Sequence, residues 1–559
     1  MGKEALITLW LIFLVSFLFA SPQEDWDFAE SLFSRGMYDL ALKEYLSYEK
    51  KYPEDKEILS LLKFRKGECY LQLKNLREAE KSFKEVVSLK DKKEKEALYR
   101  LSQIYIEEGR YKEAENILFG LKKVDTPERL REGILSLLAE LMIRERKGEN
   151  ARVFIKELKA EFPKSSLLPY AWFNLATFYW EKGEKELTDK FLLYALSSSP
   201  PSLLKKEILY SLGRVNLELA QYKEARKYFS ELLQEFPLSK QINNSMLGIG
   251  ISYYHENKWE EAKRWFSALE KKSVEDKNIK ESLWLWMGKL YFQLKKWKKS
   301  AYYLSLLSST SPLYNESQYF LAQIKREEGK PEEARQILKE IVAMKGRYAP
   351  SSLLLLSEMY KEEEDFESAL SCLEDINSFR NSPYYPDLLY EKGILLEKIS
   401  RYKDSSELFT HFLRLFPSHR YYISALFHRG LGLYYSGNYS SAERDFQELK
   451  KRDISGDWSE GADYYLIQIA LKTGNLDLFF KRVDEFLKSF PKSSWKEEVV
   501  YQAGIVAKRN DDLSTALKYF LLYIDEFPNG KYSAKVHYLL SYTYFLRKEI
   551  NLHMVFLLF

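Results

Sequence analysis

Cysteine is nearly absent. Two in 559 residues, Cys69 and Cys372, cannot make a disulfide framework. Both fall within helical patterns and read as small buried side chains. Histidine is scarce too: His255, His411, His419, His428, His537 and His553 include no H-x-x-x-H and no His/Cys cluster of ligand spacing. No metal site is therefore expected. His411, His419 and His428 fall on successive helices and could approach one another, but read as ordinary helix or surface histidines. Charge of one sign is missing as well. The 86 basic and 82 acidic residues interleave to a net +4, as in Lys90-Asp91-Lys92-Lys93-Glu94-Lys95-Glu96. That pattern describes solvated helix faces held by i,i+4 pairs, and with no basic block it excludes nucleic acid as a partner.

Long apolar runs are absent after the N-terminus. Residues 5–19 form one, preceded by Lys3 and followed by Ala20-Ser21-Pro22. The run is short of the roughly 20 residues a spanning helix needs, so 1–20 reads as a secretory signal peptide cut near Ala20. An uncleaved anchor is the alternative, because Leu18 and Ala20 make an imperfect small-x-small site. Membrane contact is then expected only through residues 5–19. No Cys follows the run, which argues against lipid attachment there.

What is present is a period. Small residues recur at Ala29, Gly67, Ser102, Ala139, Ala176, Gly213, Gly250, Gly288, Ala322, Ser357, Gly393, Gly430, Gly504 and Ser541, with Ile467 in step. Successive anchors are 34 to 38 residues apart. Twelve residues after most of them stands a second small residue, among them Ala41, Ala79, Ala114, Ala151, Thr188, Ala225, Ala262, Ser300, Ala334, Ala369, Ser405, Ala442 and Ala516. A period near 37 marks a helical-repeat array, in which each unit buries its apolar face on its neighbours.

Residues 207–237 show one unit. Ile208, Leu209, Leu212 and Val215 lie at helical spacing, a break follows near Leu219 to Gln221, and Tyr222, Ala225, Phe229 and Leu232 form a second stripe ended by Pro237. Gly213 and Ala225 let the two backbones approach, while Tyr222 and Phe229 fill the space between units. Gly109, Gly183 and Gly437 stand where first helices end, the left-handed cap position. Phe-Pro or Tyr-Pro separates the units, as at Phe162-Pro163-Lys164-Ser165 and Phe490-Pro491-Lys492-Ser493, and the Ser is expected to cap the following helix.

Small residue, second-helix Ala, aromatic and terminal Pro together resemble the tetratricopeptide repeat over nearly all of the chain after residue 20. The Phe-Pro-x-Ser links and long period are similar to bacterial envelope members, including the outer-membrane barrel-assembly lipoprotein and periplasmic cell-division coordinators. The resemblance implies an all-α, right-handed superhelical solenoid of about 15 helix-turn-helix repeats. It implies a protein–protein interaction scaffold, without cofactor, that is exported and periplasmic or outer-membrane-associated in a Gram-negative-type bacterium. A membrane-tethered spacer and an enzyme are the alternatives.

Softer joints at Ser197–Ser202, Ser308–Pro312 and Asp375–Pro386, read as loop variation, set off an N-terminal part (21–200, repeats 1–5), a middle part (201–375, repeats 6–10) and a C-terminal part (376–559, repeats 11–15). Asp375–Pro386 is expected to be a longer loop. The apolar end Met554–Phe559 is expected to dock on the preceding repeat, with an association surface and a truncation as alternatives.

One constellation imitates an enzyme. Ser202-Leu203-Leu204-Lys205, Ser436-Gly437-Asn438 and Lys472-Thr473-Gly474 follow the order of the penicillin-binding class. Yet the last two sit one period apart in the same hairpin turn, where glycine ends a helix, and no sheet pattern accompanies them. No catalytic residue is assigned.

In the resembling family the first helices line the binding groove, and the residue three before the anchor points into it. By that register the partner-binding candidates are Tyr99, Phe173, Tyr210, Tyr319, Tyr390, Phe427, Tyr464, Tyr501 and Tyr538, with Trp180, Tyr254 and Tyr434 four after their anchors. Aromatic rings offer large contact area for few lost rotors, which suits capture of other proteins or peptides. The alternative is that these rings pack between adjacent first helices. The residue after the anchor is never Asn, which argues against the family's clamp for C-terminal carboxylates.

Overall fold

A computed structural model describes residues 21–55, 58–272, 274–453 and 455–547. The signal segment 1–20 and the apolar end Met554–Phe559 lie outside the described residues. Twenty-nine α-helices and no strand are present among those described. The chain divides into two units, Met1–Leu290 and Tyr291–Phe559, the division falling within the helix Lys277–Gln293.

Each unit is a run of helical hairpins, such as Ser202–Glu218 with Tyr222–Glu235 in the first and Tyr422–Tyr435 with Tyr439–Arg452 in the second. The small anchors and their second-helix partners are buried throughout, most with no exposed surface. The reason is a volume rule. Sixteen residues after an anchor, the second helix sends a side chain back onto it. Where the anchor is glycine that side chain is phenylalanine: Phe83 on Gly67, Phe229 on Gly213, Phe266 on Gly250, Phe409 on Gly393, Phe446 on Gly430 and Phe520 on Gly504. A Cβ on Gly67 would lie 2.7 Å from the Phe83 ring, and one on Gly430 2.8 Å from Phe446. Where the anchor is Ala or Ser the partner is smaller: Leu118 for Ser102, Ile155 for Ala139, Leu192 for Ala176, Leu338 for Ala322, Leu373 for Ser357. Ala29 with Tyr45 departs from the rule, and in the sequence leucine, not phenylalanine, stands sixteen residues after Gly288. In the thirteenth repeat the bulk is redistributed. Ile467 is the anchor, Phe479 replaces the second small residue and Val483 replaces the phenylalanine, all three buried in one core.

The hairpin turn is equally regular. The residue seven after each anchor from Ala29 to Gly504 has φ between +54° and +81°, from Gly36 and Lys74 through Gly437 and Gly474 to Asp511. Gly109, Gly183 and Gly437 thus hold the left-handed cap expected of them, but eight of the fourteen such turns use other residues, including Ala220 (φ 57°). Those non-glycine residues bear a Cβ–carbonyl clash worth roughly 1–2 kcal/mol. Ala220 is exposed and has no compensating contact role in the core. Ala220→Gly should therefore raise the stability of its hairpin by about 1 kcal/mol, and Gly437→Ala should lower its own by a similar amount, both read as shifts in denaturation midpoint.

The links between repeats correct one expectation. Before each Pro the second helix closes on a residue that has left the helical region, as at Tyr52, Phe162, Phe236, Phe416, Phe490 and Phe527, with φ from −125° to −129° and ψ from 55° to 68°. The serine after that Pro does not cap the next helix. Ser165, Ser239 and Ser493 each accept a hydrogen bond from the backbone N–H two residues on, at 3.0, 3.2 and 3.0 Å. They tighten the link one turn too early to reach the helix, whose own N-cap makes no side-chain bond. Side-chain capping comes instead from Asn75, Asp365, Asn438, Asn475 and Asp512 at second helices, and at first helices from Ser21 and Asp276, neither of which belongs to such a link.

Residues 375–386 also differ from the loop expected there. The second helix Phe366–Cys372 stops early, a 3-10 turn covers Ile376–Phe379, and Pro386 sits in the first turn of Tyr385–Lys398. Lys392 donates to the carbonyl of Leu373 at 2.9 Å, satisfying an oxygen that the shortened helix leaves open. Burial pushes its ammonium below the usual lysine range. Cys69 is buried and Cys372 half-buried, both as thiols.

Candidate partner-binding face

First helices stack on one another through a fixed crossing. At eight junctions the side chain two before an anchor reaches the preceding first helix, one or four residues after its anchor. In the first unit, Arg65 forks onto Glu30 at 2.8 and 2.9 Å, Arg100 onto Glu68 at 2.6 and 3.1 Å, and Trp286 lies against Tyr254 with centroids 5.2 Å apart. In the second unit, Phe320 lies on Phe292 (5.4 Å) and Tyr465 on Tyr434 (5.3 Å). Glu391 accepts from the Ser357 hydroxyl at 3.0 Å and pairs with Lys361 at 2.5 Å; His428 Nδ1 is 2.9 Å from Glu397; and Gln468 donates to Gln502 at 2.8 Å. The crossing position accepts charge, amide or ring, provided that its counterpart matches.

A second set of pairs runs beside the first. In the C-terminal unit, the ring three before the anchor packs on the residue that opens the next first helix, nine before the next anchor. Tyr319 meets Tyr348 at 5.7 Å, and Tyr390 stacks on Tyr421 at 4.4 Å and 21°. Phe427 meets Trp458 at 5.2 Å, Tyr464 stacks on Trp495 at 5.1 Å and 21°, and Tyr501 on Tyr532 at 4.0 Å and 5°. The N-terminal unit has one cationic counterpart, Lys93 over Phe64 at 5.5 Å. Such pairs contribute about 0.5–1.5 kcal/mol each beyond area burial. The opening residues are fixed through their backbone: Tyr421 N–H donates to His419 Nδ1 (3.3 Å), Trp458 N–H to Asp453 (2.9 Å), Trp495 N–H to Ser493 (3.0 Å) and Tyr532 N–H to the Tyr523 hydroxyl (2.8 Å). Sequence reading missed these opening aromatics, although Tyr348, Tyr384, Tyr421, Trp458, Trp495 and Tyr532 recur at 36 or 37 residues.

The remaining candidates are placed as follows. Tyr99 is half-buried with its ring over Gly133, and Tyr210 tilts on Phe229 at 6.2 Å. Tyr254 is buried among Trp259, Trp286 and His255. Tyr434 contacts Tyr435 and Tyr439 as well as Tyr465. Tyr538 is 48% exposed, parallel to Tyr542 at 6.2 Å. Burial pushes the hydroxyls of Tyr99, Tyr210, Tyr319, Tyr390 and Tyr464 above the usual phenol range, and that of Tyr434 up to about 12. At neutral pH these rings present protonated hydroxyls. Phe173 and Trp180 are the two candidates brought together, on one cavity of about 260 Å³ that also touches Leu192, Ser211 and Arg214.

The histidines have separate roles. His411 bonds Arg414 at 3.0 Å, His419 accepts from Tyr421, and His428 faces Glu397 with Phe409 stacked on its ring at 5.6 Å. No group of three or more His, Cys, Asp or Glu residues able to hold a metal ion occurs among the described residues. Gly437 and Gly474, from the enzyme-like constellation, are hairpin-turn residues with φ of +81° and +72°, and Ser202 opens a first helix.

Two family models described as tetratricopeptide repeat match residues 70–132 and 207–239. Over these segments the chain is a tetratricopeptide-repeat array, and the same helical hairpin recurs through the described residues. A third model, YfiO, described as an outer membrane lipoprotein, matches residues 420–511 of the array. Solved structures similar to this tetratricopeptide array include the APC/C hetero-tetramer Cut9–Hcn1 (14% identity, covering 88% of this chain and 97% of that one, TM-score 0.29). They also include a tetratricopeptide repeat protein from Parabacteroides merdae (21%, 45% and 93%, TM-score 0.32) and the apo form of the quorum sensor NprR from B. thuringiensis (17%, 58% and 99%, TM-score 0.39). No curated protein matches it. No helix among the described residues is long and apolar enough to cross a membrane.

Proposed function

We propose that this tetratricopeptide array is a non-enzymatic protein–protein interaction scaffold of a bacterial envelope, exported by residues 1–20. It grips partner chains along the face of its first helices. The observation that supports this most directly is the coincidence of two findings on one segment. Residues 420–511, which match the outer membrane lipoprotein model, carry the tilted ring pair Phe427/Trp458 and the stacked pair Tyr464/Trp495. Phe427 is 9% exposed and the other three rings are half-buried, so each pair is anchored by its own ring contact and keeps part of its surface open to solvent. A rigid ring with an open edge binds without losing rotor entropy, and a row of them adds shallow contacts along an extended partner.

The test is capture from an envelope fraction of the native cells by the full-length protein and by Tyr464→Ala/Trp495→Ala. The pair variant should recover at least about tenfold less of the bound partner, since truncated aromatic anchors cost 2 kcal/mol or more, with helical circular dichroism unchanged. Equal recovery by both proteins, or no bound chain with either, would sink the reading. Loss of helicity in the variant would assign the rings to the core instead.

A further inference from the structure

The crossing rule of the first helices has one exception that leaves space. At three junctions an aromatic two before the anchor covers an aromatic four after the preceding one: Trp286 on Tyr254, Phe320 on Phe292 and Tyr465 on Tyr434. Between the fifth and sixth repeats the lower ring is present as Trp180, but the crossing residue is Ser211. A hydroxymethyl group cannot span that distance, and the cavity of about 260 Å³ stands where the upper ring would be. Phe173 walls one side and the buried Leu192 forms its floor. Gly248 is smaller still at the same register, yet there the Phe229 ring occupies the place a side chain would take. Pockets for drug-sized ligands run to roughly 300–1,000 Å³, so this one suits a single side chain.

We infer that the cavity takes one aromatic side chain of a partner polypeptide from within an acidic sequence, laid on Trp180 as the chain's own rings are laid elsewhere. The acidic context follows from Arg214. Its guanidinium lies 4.9 Å from the centre of the Trp180 ring and 5.8 Å from that of Tyr210, held at the rim by both. Arg65 and Arg100, on first helices of the second and third repeats in the same unit, each fork onto a glutamate. Arg214 has no carboxylate within ion-pair distance among the described residues. The nearby Glu207 accepts from Gln241 at 2.6 Å. A carboxylate flanking the incoming ring would meet a guanidinium that is already oriented and uncompensated. This inference rests on the scaffold reading and deepens it by naming the chemistry of one contact.

The probe is a fluorescent, end-blocked pentapeptide with central phenylalanine flanked by aspartates, followed by anisotropy against the full-length protein. Saturable binding is expected, at least about tenfold tighter than for the same peptide with central alanine or with lysine flanks. Ser211→Phe installs the ring that Phe320 supplies at its own junction. It should keep or raise the melting temperature and abolish peptide binding. Arg214→Gln, at an exposed position, should weaken the acidic peptide about tenfold and leave a glycine-flanked aromatic peptide unchanged. No saturable binding by the wild type, equal binding by Ser211→Phe, or equal binding of the lysine-flanked peptide would overturn the site. Envelope capture separates the two claims. A protein that captures its partner but ignores the peptide retains the scaffold reading and loses this site, whereas failure of capture removes the scaffold reading whatever the peptide does.

Discussion

Gly213→Ala should destabilise its hairpin by about 2 kcal/mol, although the same change at an exposed mid-helix glycine would stabilise by about 1 kcal/mol. The sign is decided by Phe229. A Cβ on Gly213 would overlap the Phe229 ring at three carbon atoms, and the ring, with 1% of its surface exposed, has nowhere to move. Overpacking of this kind costs about 1–3 kcal/mol, and here the overlap puts it at the upper end, so it outweighs the gain in helix propensity. The decisive experiment is the compensating pair. Gly213→Ala with Phe229→Leu reproduces the Ala176/Leu192 and Ala322/Leu338 combinations found elsewhere in this chain. The double variant should come within about 1 kcal/mol of wild type, which gives a coupling energy of about 2 kcal/mol in the double-mutant cycle. Because a repeat array unfolds in parts, hydrogen exchange of Ser202–Glu218 and Tyr222–Glu235 is the proper readout. Additive single effects would refute the volume rule.

Asp445→Ala should cost about 3 kcal/mol, while Arg429→Met/Asp445→Leu should cost less than about 1 kcal/mol. Arg429 forks onto Asp445 at 2.7 and 2.6 Å across the hairpin Tyr422–Tyr435/Tyr439–Arg452, and the carboxylate side chain is 9% exposed. Burial pushes the Asp445 carboxyl above its ordinary range, and the adjacent guanidinium only partly opposes that push. The interaction therefore does not fully recover the hydration that the carboxylate lost. Deleting Asp445 leaves the Arg429 guanidinium half-buried and uncompensated; deleting both removes the desolvation cost along with the attraction. Denaturant titration of the four members of the cycle reads the difference. A double variant as unstable as Asp445→Ala would show that the pair is worth more than its burial costs.

The tandem small residues made the hairpin architecture legible from sequence, because only small side chains let two helices approach and the spacing repeats too often for coincidence. Glycine marked six of the left-handed turns for the same kind of reason, a backbone state that favours it. Lys74, Ala220 and Asp511 occupy that state without announcing it, since a turn forced by both helices is adopted at modest cost by any side chain. The serine of the Phe-Pro-x-Ser link was visible, but its bond was misassigned by one turn, because an ST-turn and an N-cap use the same hydroxyl and differ only in which N–H comes within reach.

By itself, then, the sequence determined the repeat, the helical class and the columns of residues that share a register. Those follow from local sterics and periodic burial, which depend on one stretch of chain at a time. The structure alone decided which member of each column meets which neighbour: that Tyr464 is covered by Trp495, that Phe446 requires glycine at 430, and that Ser211 leaves Trp180 uncovered. A contact between repeats is the sum of two side chains from separate columns, so neither column read singly states whether the space between them is filled.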